Sequence, residues 1–267
     1  MQSIVRNLLL SVLAASLAAC AATGVSFRNA VLSSDDKPRE IEGLLARPDG
    51  VGPFPAVVIL HTCGGVQSHV SEDWPRFFSG LGYVALTVDT FGSRGLGPCG
   101  NALHPAGPGR KTEAYREMTR DAYGALDYLA AQPFIKKDRI AVIGFSLGAN
   151  TINSYLVQEV KRPAASNFKA AIGVYGRCHD LWRYSPRPDS IPLMQVAGER
   201  DEKHVDSCRR LHSSIEVHII PGAYHSWDDF RASGKVNTYG DYAVYDRNAT
   251  AKSRDLAREF LARHLGK

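Results

Sequence analysis

Six short apolar runs rich in β-branched residues recur along this chain: Ala56–Leu60, Val84–Asp89, Ile140–Gly144, Ala170–Tyr175, Leu193–Gly198 and Val217–Ile220. They are apolar throughout rather than alternating with polar residues, which suits strands covered on both faces, as in a parallel sheet. Parallel neighbours need long crossovers, and the intervening segments read as helices. The clearest is Thr112–Gln132, where Met118, Ala122, Ala125, Leu126 and Leu129 follow helical spacing and Pro133 stands just beyond the end. A strand near Ile41–Leu45 is expected to join the sheet antiparallel, and a last helix, Lys252–Leu265, to pack back onto it. The chain shows no internal repeat and no linker rich in Pro or Ser. The expectation is one α/β domain, a mostly parallel central sheet with helices on both faces.

The N-terminus reads as an export signal. Leu8–Ala19 is apolar but shorter than the roughly 20 residues of a membrane span, and it has the length of a signal-peptide core. The following Leu17-Ala18-Ala19-Cys20 resembles the lipobox of bacterial lipoproteins, which implies a lipid on Cys20; an ordinary cleaved signal is the alternative, since only Arg6 supplies positive charge upstream. The expected plan is residues 1–19 as signal peptide, Cys20 as mature N-terminus, 20–39 as a tether and 40–267 as the folded domain. The protein would then be exported, periplasmic or anchored at the outer membrane, and would meet the membrane only through that lipid. Lys and Arg number 32 against 27 Asp and Glu, a net +5 scattered along the chain, so no nucleic-acid partner is expected.

Five cysteines are present, and a lipid on Cys20 leaves Cys63, Cys99, Cys178 and Cys208 in a disulfide-permissive compartment. Three pairings are open. Cys63 with Cys99 and Cys178 with Cys208 is favoured, because each bridge would tie loops at one end of a sheet. A metal is not expected, since there is no CxxC or HExxH and the nine histidines are dispersed. Nothing implies a cofactor.

The sharpest chemical signal is Ile140-Ala-Val-Ile-Gly144-Phe145-Ser146-Leu147-Gly148, a strand running through GxSxG into a helical segment. On such a turn the serine hydroxyl stands clear of the sheet and the next backbone N–H, that of Leu147, opens a helix ready to stabilise an oxyanion. A serine nucleophile needs a base, and the base needs an orienting carboxylate. The strand Leu193–Gly198 leads into Glu199-Arg200-Asp201, and Val217–Ile220 into Pro221-Gly-Ala-Tyr-His225-Ser226-Trp227. Asp201 is the favoured acid, with Glu199 competing, and His225 is the favoured base. After Ala56–Leu60 comes His61-Thr62-Cys63-Gly64-Gly65, where the N–H of Thr62 or Cys63 would complete the oxyanion site. His61 is weighed between an anchor for this loop and a substrate contact; Trp227 is a second candidate substrate contact. The Gly- and Pro-rich stretch 90–112 reads as a functional loop. Tyr239, Tyr242 and Tyr245 read as packing against the last helix or as a pocket wall.

The elements HTCGG, VDTFGSRG, GFSLGAN, GERD and PGAYHSWD, in this order, resemble the dienelactone hydrolase family of α/β-hydrolases over most of residues 40–265. The resemblance implies the α/β-hydrolase fold, a triad of Ser146, Asp201 and His225, and bridged cysteines as in an exported branch. The founding enzymes carry a cysteine where this chain has Ser146 and a glutamate near the Thr62 position. They also hold the lactone carboxylate with two arginines. Arg94 matches one of these, and could bind an acidic substrate or form a salt bridge with an acid such as Asp89; the other position, four after the histidine, is Asp229. These departures point away from dienelactone as substrate.

The expected activity is therefore a serine-dependent hydrolysis of carboxylic esters, small or polymer-attached, through an acyl-enzyme at the cell envelope. Only 17 residues separate Tyr175 from Leu193, too few for a separate cap domain, so the site should be open. The same machinery would serve a peptidase or amidase, and a non-catalytic binding lipoprotein would be expected to lack a triad residue. The oligomeric state has no sequence signal.

Overall fold

The computed structural model describes residues 22–266, except 101–107, 159, 161, 163, 183, 185–189 and 238–239. The signal segment, Cys20 and Tyr239 lie outside the described residues. Eight strands form one sheet: β1 (Thr23–Arg28), β2 (Glu40–Ala46), β3 (Phe54–Leu60), β4 (Val84–Asp89), β5 (Ile135–Phe145), β6 (Ala171–Val174), β7 (Leu193–Gly198) and β8 (Glu216–Ile220). Their order is β1-β2-β4-β3-β5-β6-β7-β8. Strand β2 runs antiparallel to both its neighbours, β1 and β4, and the remaining neighbours pair parallel. This is the α/β-hydrolase architecture in a single domain. Among the described residues the α-helices are α1 (Trp74–Gly80), α2 (Pro108–Ala130), the short α3 (Leu147–Thr151), α4 (Glu202–Arg209) and α5 (Arg247–Leu265).

Period-two geometry sends successive side chains of a strand to opposite faces, and β3 shows why its run is apolar throughout. Ala56, Val58 and Leu60 pack with Met118, Ala122 and Leu126 of α2. Val57 and Ile59 pack on the other face with Trp74 and Phe78 of α1 and Leu256, Phe260 and Leu261 of α5. Both faces are dry, so polar positions would carry unpaid desolvation. Helix α5 begins with Asp246 as its cap, whose carboxylate accepts from the N–H groups of Asn248 and Ala249 at 2.8 and 3.0 Å.

Residues 20–39 were expected to be a tether, and the structure differs. From Thr23 onward the segment is part of the domain: β1 forms the sheet edge against β2, and Phe27 is buried among the core residues. The connection that follows is fastened to α2. Asn29 donates to Asp121 at 3.0 Å, and the Asp36 carboxylate accepts from Leu32 N and Ser33 N and pairs with Arg116 and Arg120. The polar residues that looked like a solvated linker, Ser33–Pro38, are polar because they close a loop through hydrogen bonds. The alternation of Val25 and Phe27 was the available signal.

The two bridges join Cys63 to Cys99 and Cys178 to Cys208. The first ties the loop after β3 to the loop after β4. The second ties the segment after β6 to the end of α4. Each spans 30 residues or more of sequence, and closing loops of that length in the unfolded chain costs about 3–4 kcal/mol per bridge. We expect Cys178→Ser with Cys208→Ser to lower the unfolding free energy by about 3 kcal/mol, read from the urea midpoint of the oxidised variant against wild type.

Candidate active site

The strand order reverses around β3, whose neighbours are β4 on one side and β5 on the other. In parallel sheets ligands bind outside the carboxyl ends of strands at such a switch point. Leu60 is in register with Gly144, so the chain leaves β3 and β5 side by side.

Ser146 follows β5 with φ 50° and ψ −104°, a conformation few residues with a side chain adopt. Its flanking glycines allow the turn. A Cβ on Gly144 would stand 2.3 Å from the Gly148 backbone, and one on Gly148 would stand 2.5 Å from the Leu60 carbonyl oxygen. Leu147 is the first residue of α3, so its N–H has no acceptor within the helix.

The loop after β3 is a tight turn. Gly65 N donates to Thr62 O at 3.1 Å, and Gly64 N donates to the Thr62 hydroxyl at 3.1 Å. His61 lies beneath it, fully buried, with Nδ1 2.7 Å from the Thr62 carbonyl. Burial pushes the His61 imidazole below its ordinary pKa, and a neutral ring donating from Nδ1 fits that contact. His61 is thus an anchor of the loop rather than a substrate contact.

Asp201 and His225 arrive on the loops after β7 and β8, and these loops are stitched together. Glu199 N donates to Ile220 O at 3.0 Å, Arg200 N to Ala223 O at 2.8 Å, and Gly222 N to the Glu199 carboxylate at 2.9 Å. Glu199, the competing acid, therefore shapes the turn and stays exposed. Asp201 Oδ2 lies 2.7 Å from His225 Nδ1, and His225 Nε2 lies 3.0 Å from Ser146 Oγ. A carboxylate can only accept, so Nδ1 carries the hydrogen and Nε2 offers its lone pair to the serine hydroxyl. Asp201 and His225 are buried, while Ser146 is partly exposed. Water thus reaches Ser146 but not the Asp201–His225 bond.

An aromatic bracket fixes the imidazole. The Tyr175 ring packs on the His225 ring at 5.0 Å and on Trp227 at 4.9 Å. Its hydroxyl donates to Asp228 Oδ1 at 2.8 Å, and Trp74 Nε1 donates to Asp228 Oδ2 at 2.7 Å. Burial and the Asp228 charge hold the Tyr175 phenol well above its ordinary pKa, so it stays a donor. No local pattern marks Tyr175 or Asp228; the carboxylate next to Trp227 was the one visible hint. Trp227 itself is fully buried and offers its Nε1 to Ser253, so it is core rather than a substrate wall.

The model of the dienelactone hydrolase family matches residues 41–265. The chain belongs to the dienelactone hydrolase family. Among curated relatives it is similar to a probable 2-oxo-3-(5-oxofuran-2-ylidene)propanoate lactonase of Bradyrhizobium sp., 26% identical across 69% of this chain and 65% of the relative. A putative carboxymethylenebutenolidase of Synechocystis sp. is 26% identical across 46% of this chain and 52% of its own length. The matches thus span less than two thirds of these relatives. Among solved structures, a dienelactone hydrolase-like promiscuous phosphotriesterase from metagenomic libraries has a TM-score of 0.61 at 21% identity, covering 92% of this chain and all of that one. A thermophilic esterase of Thermogutta terrifontis has a TM-score of 0.58 at 15% identity, covering 89% and 93%. At such identities the structures show the shared fold.

Within this family member, Arg94 does not serve as a carboxylate clamp. Its guanidinium is buried, 2.8 Å from Asp121 Oδ2 and 2.7 Å from Glu117 Oε2, and it also donates to Thr90 O. Burial works against its charge, but Asp121 and Glu117 together raise its pKa above the ordinary value. The salt bridge is to α2 rather than to Asp89, whose carboxylate accepts from Gly92 N instead. Asp229, at the other arginine position, accepts from Arg231 N and lies 3.6 Å from the buried His69. Tyr242 meets Tyr224 edge to face and Tyr245 meets Phe230 in the same way, so these tyrosines pack on the loops either side of His225.

Among the described residues, Asp201, His204 and His225 bring ligand atoms within 4.8 Å of one another. Two of these groups are already joined to each other, and a metal would have to break that bond. Arg94→Leu is expected to cost about 3–5 kcal/mol in stability, because two carboxylates lose a buried partner, while KM for a neutral ester stays unchanged. Urea unfolding and steady-state kinetics on the same preparation check both halves.

Proposed function

We propose that this protein is a serine-dependent hydrolase of carboxylic esters acting at the cell envelope. The observation that carries the reading is the unbroken series Ser146 Oγ, His225 Nε2, His225 Nδ1, Asp201 Oδ2, with contacts of 3.0 and 2.7 Å. It stands at the switch point of the sheet, beside the loop that follows β3.

In the proposed reaction His225 Nε2 takes the Ser146 proton as Oγ forms a bond to the ester carbonyl carbon. The carbonyl π pair moves to oxygen, and the N–H of Leu147 with that of Thr62 or Cys63 stabilises the oxyanion. Collapse expels the alcohol, which takes the proton back from His225 and leaves an acyl group on Ser146. Water then adds to that carbonyl with His225 again accepting a proton. Breakdown returns the proton to Ser146 and releases the carboxylic acid. Asp201 holds the imidazole tautomer and stabilises the imidazolium formed in each half.

The names of relatives support ester and lactone chemistry as the substrate class. The short β6–β7 connection, too brief for a cap domain, favours small or polymer-attached acyl groups. Two disulfides agree with an oxidising compartment, as does the signal-like N-terminus. Treating the oxidised protein with a fluorophosphonate should give one adduct on Ser146 by peptide mapping, absent in His225→Ala. Ser146→Ala should lower kcat/KM for a short-chain ester by about 10³-fold or more with the urea midpoint unchanged. Esterase activity retained in Ser146→Ala would place the nucleophile elsewhere. For the envelope location, cells fed labelled fatty acid should incorporate label into the protein and lose it in Cys20→Ala; no label in wild type would leave an ordinary cleaved signal as the route of export.

A further inference from the structure

Asp201 uses one carboxylate oxygen for His225, and its other oxygen faces a second imidazole. His204, in the first turn of α4, places Nε2 4.0 Å from Asp201 Oδ1 and 3.5 Å from Asp241 Oδ1. Its ring centroid lies 5.5 Å from that of His225. Asp241 belongs to the turn between two short strands, β9 (Lys235–Val236) and β10 (Tyr242–Ala243). Ala243 forms a parallel bridge to His225, so one short segment carries both Asp241 and a backbone contact to the proposed base.

Asp241 is buried and closely held. Asn237 Nδ2 donates to its Oδ2 at 2.9 Å, its own N–H donates to Asn237 Oδ1 at 2.9 Å, and Lys203 Nζ lies 3.4 Å from Oδ1. Burial opposes its charge, yet hydrogen bonds from His204 and Asn237 and the fields of His225 and His204 hold its carboxyl far below the ordinary carboxylate range. It is ionised at every pH at which the serine chemistry could run. A buried carboxylate kept charged beside two histidines is costly to build, and the turn around it holds that charge in place.

We infer that Asp241 is a positioning residue for the proposed triad, its charge favouring the protonated form of His225, with His204 packed between it and the second oxygen of Asp201. The inference rests on the reading of Ser146, His225 and Asp201 given above. The charged and titratable groups facing His225 are Asp201 from the β7 loop, His204 from α4, Tyr175 from the end of β6 and Asp241 from the hairpin. Lys203 reaches the cluster through Asp241. A fixed negative charge near an imidazole raises the pH at which it gives up its proton.

The experiment is the second-order rate of fluorophosphonate labelling of Ser146 as a function of pH, for the full oxidised protein and two variants. In Asp241→Asn the acidic limb should move to lower pH by about half a unit or more, because a negative charge is lost. In Lys203→Gln it should move upward, because the ammonium 3.4 Å from Asp241 Oδ1 no longer offsets the carboxylate's field. A merely structural role would slow labelling equally at every pH and leave both limbs in place, and that result overturns the inference, as does labelling identical to wild type. If Asp241→Asn does not fold, judged by its urea transition, an unmoved limb in Lys203→Gln alone overturns it. No adduct on wild-type Ser146 would overturn the proposed function and this inference with it, which sets that failure apart from labelling without a shift.

Discussion

Leu60 and Gly148 meet so closely that a single added methyl group on the glycine would lie 2.5 Å from the Leu60 carbonyl oxygen. That approach is what brings the end of β3 and the start of α3 together. It depends on the parallel register of Leu60 with Gly144, and it is open only to a chain with glycine on both sides of Ser146. The amides proposed for the oxyanion belong to these two segments. Their spacing is therefore a property of two neighbouring strands in the middle of the sheet, where neither loop can drift without disturbing a fully buried strand.

Around this centre the remaining loops are braced by different means. The loop after β3 is held by a disulfide and by a buried histidine, and the loop after β4 by Arg94 between two carboxylates of α2. The acid and base loops are fastened to one another by backbone hydrogen bonds. Behind them the second disulfide anchors α4, which begins directly after Asp201. Loops carry function when a rigid scaffold fixes them, and here covalent, ionic and aromatic braces share that task. The bracket of Trp74, Asp228 and Tyr175 is instructive, since a buried carboxylate serves only to orient an aromatic ring that packs on His225.

Membership of the dienelactone hydrolase family says less about substrate than the fold match suggests. One arginine position of the founding enzymes is an aspartate here, and the other arginine is committed to the interior. Arg94 was identifiable as a charged residue in a glycine-rich turn, but a sequence does not say whether such a side chain points to solvent or to a helix. The same limit applies to Trp227, a candidate substrate contact in the sequence that the tertiary structure places in the core.

Much of the architecture was legible because strands buried on both faces must be apolar at every position, and that pattern is local. Strands β4 and β7 match their runs residue for residue, and α2 begins four residues before its expected start, the buried Met118, Ala122 and Leu126 carrying the signal. Ser146, Asp201 and His225 were legible for a related reason, since each follows an apolar run and the fold fixes which loops converge. Strand β1 escaped because an edge strand buries only alternate residues and its connection is polar. His204 and Asp241 escaped because one lies on a helix and the other in a hairpin turn, 37 residues apart, with no spacing rule between them. The sequence by itself determined the strands, the turn at Ser146 and the order of the three residues that meet there, all of which depend on local periodicity and backbone sterics. Only the tertiary structure decided which charges face one another, because pairing between distant side chains depends on how loops are packed.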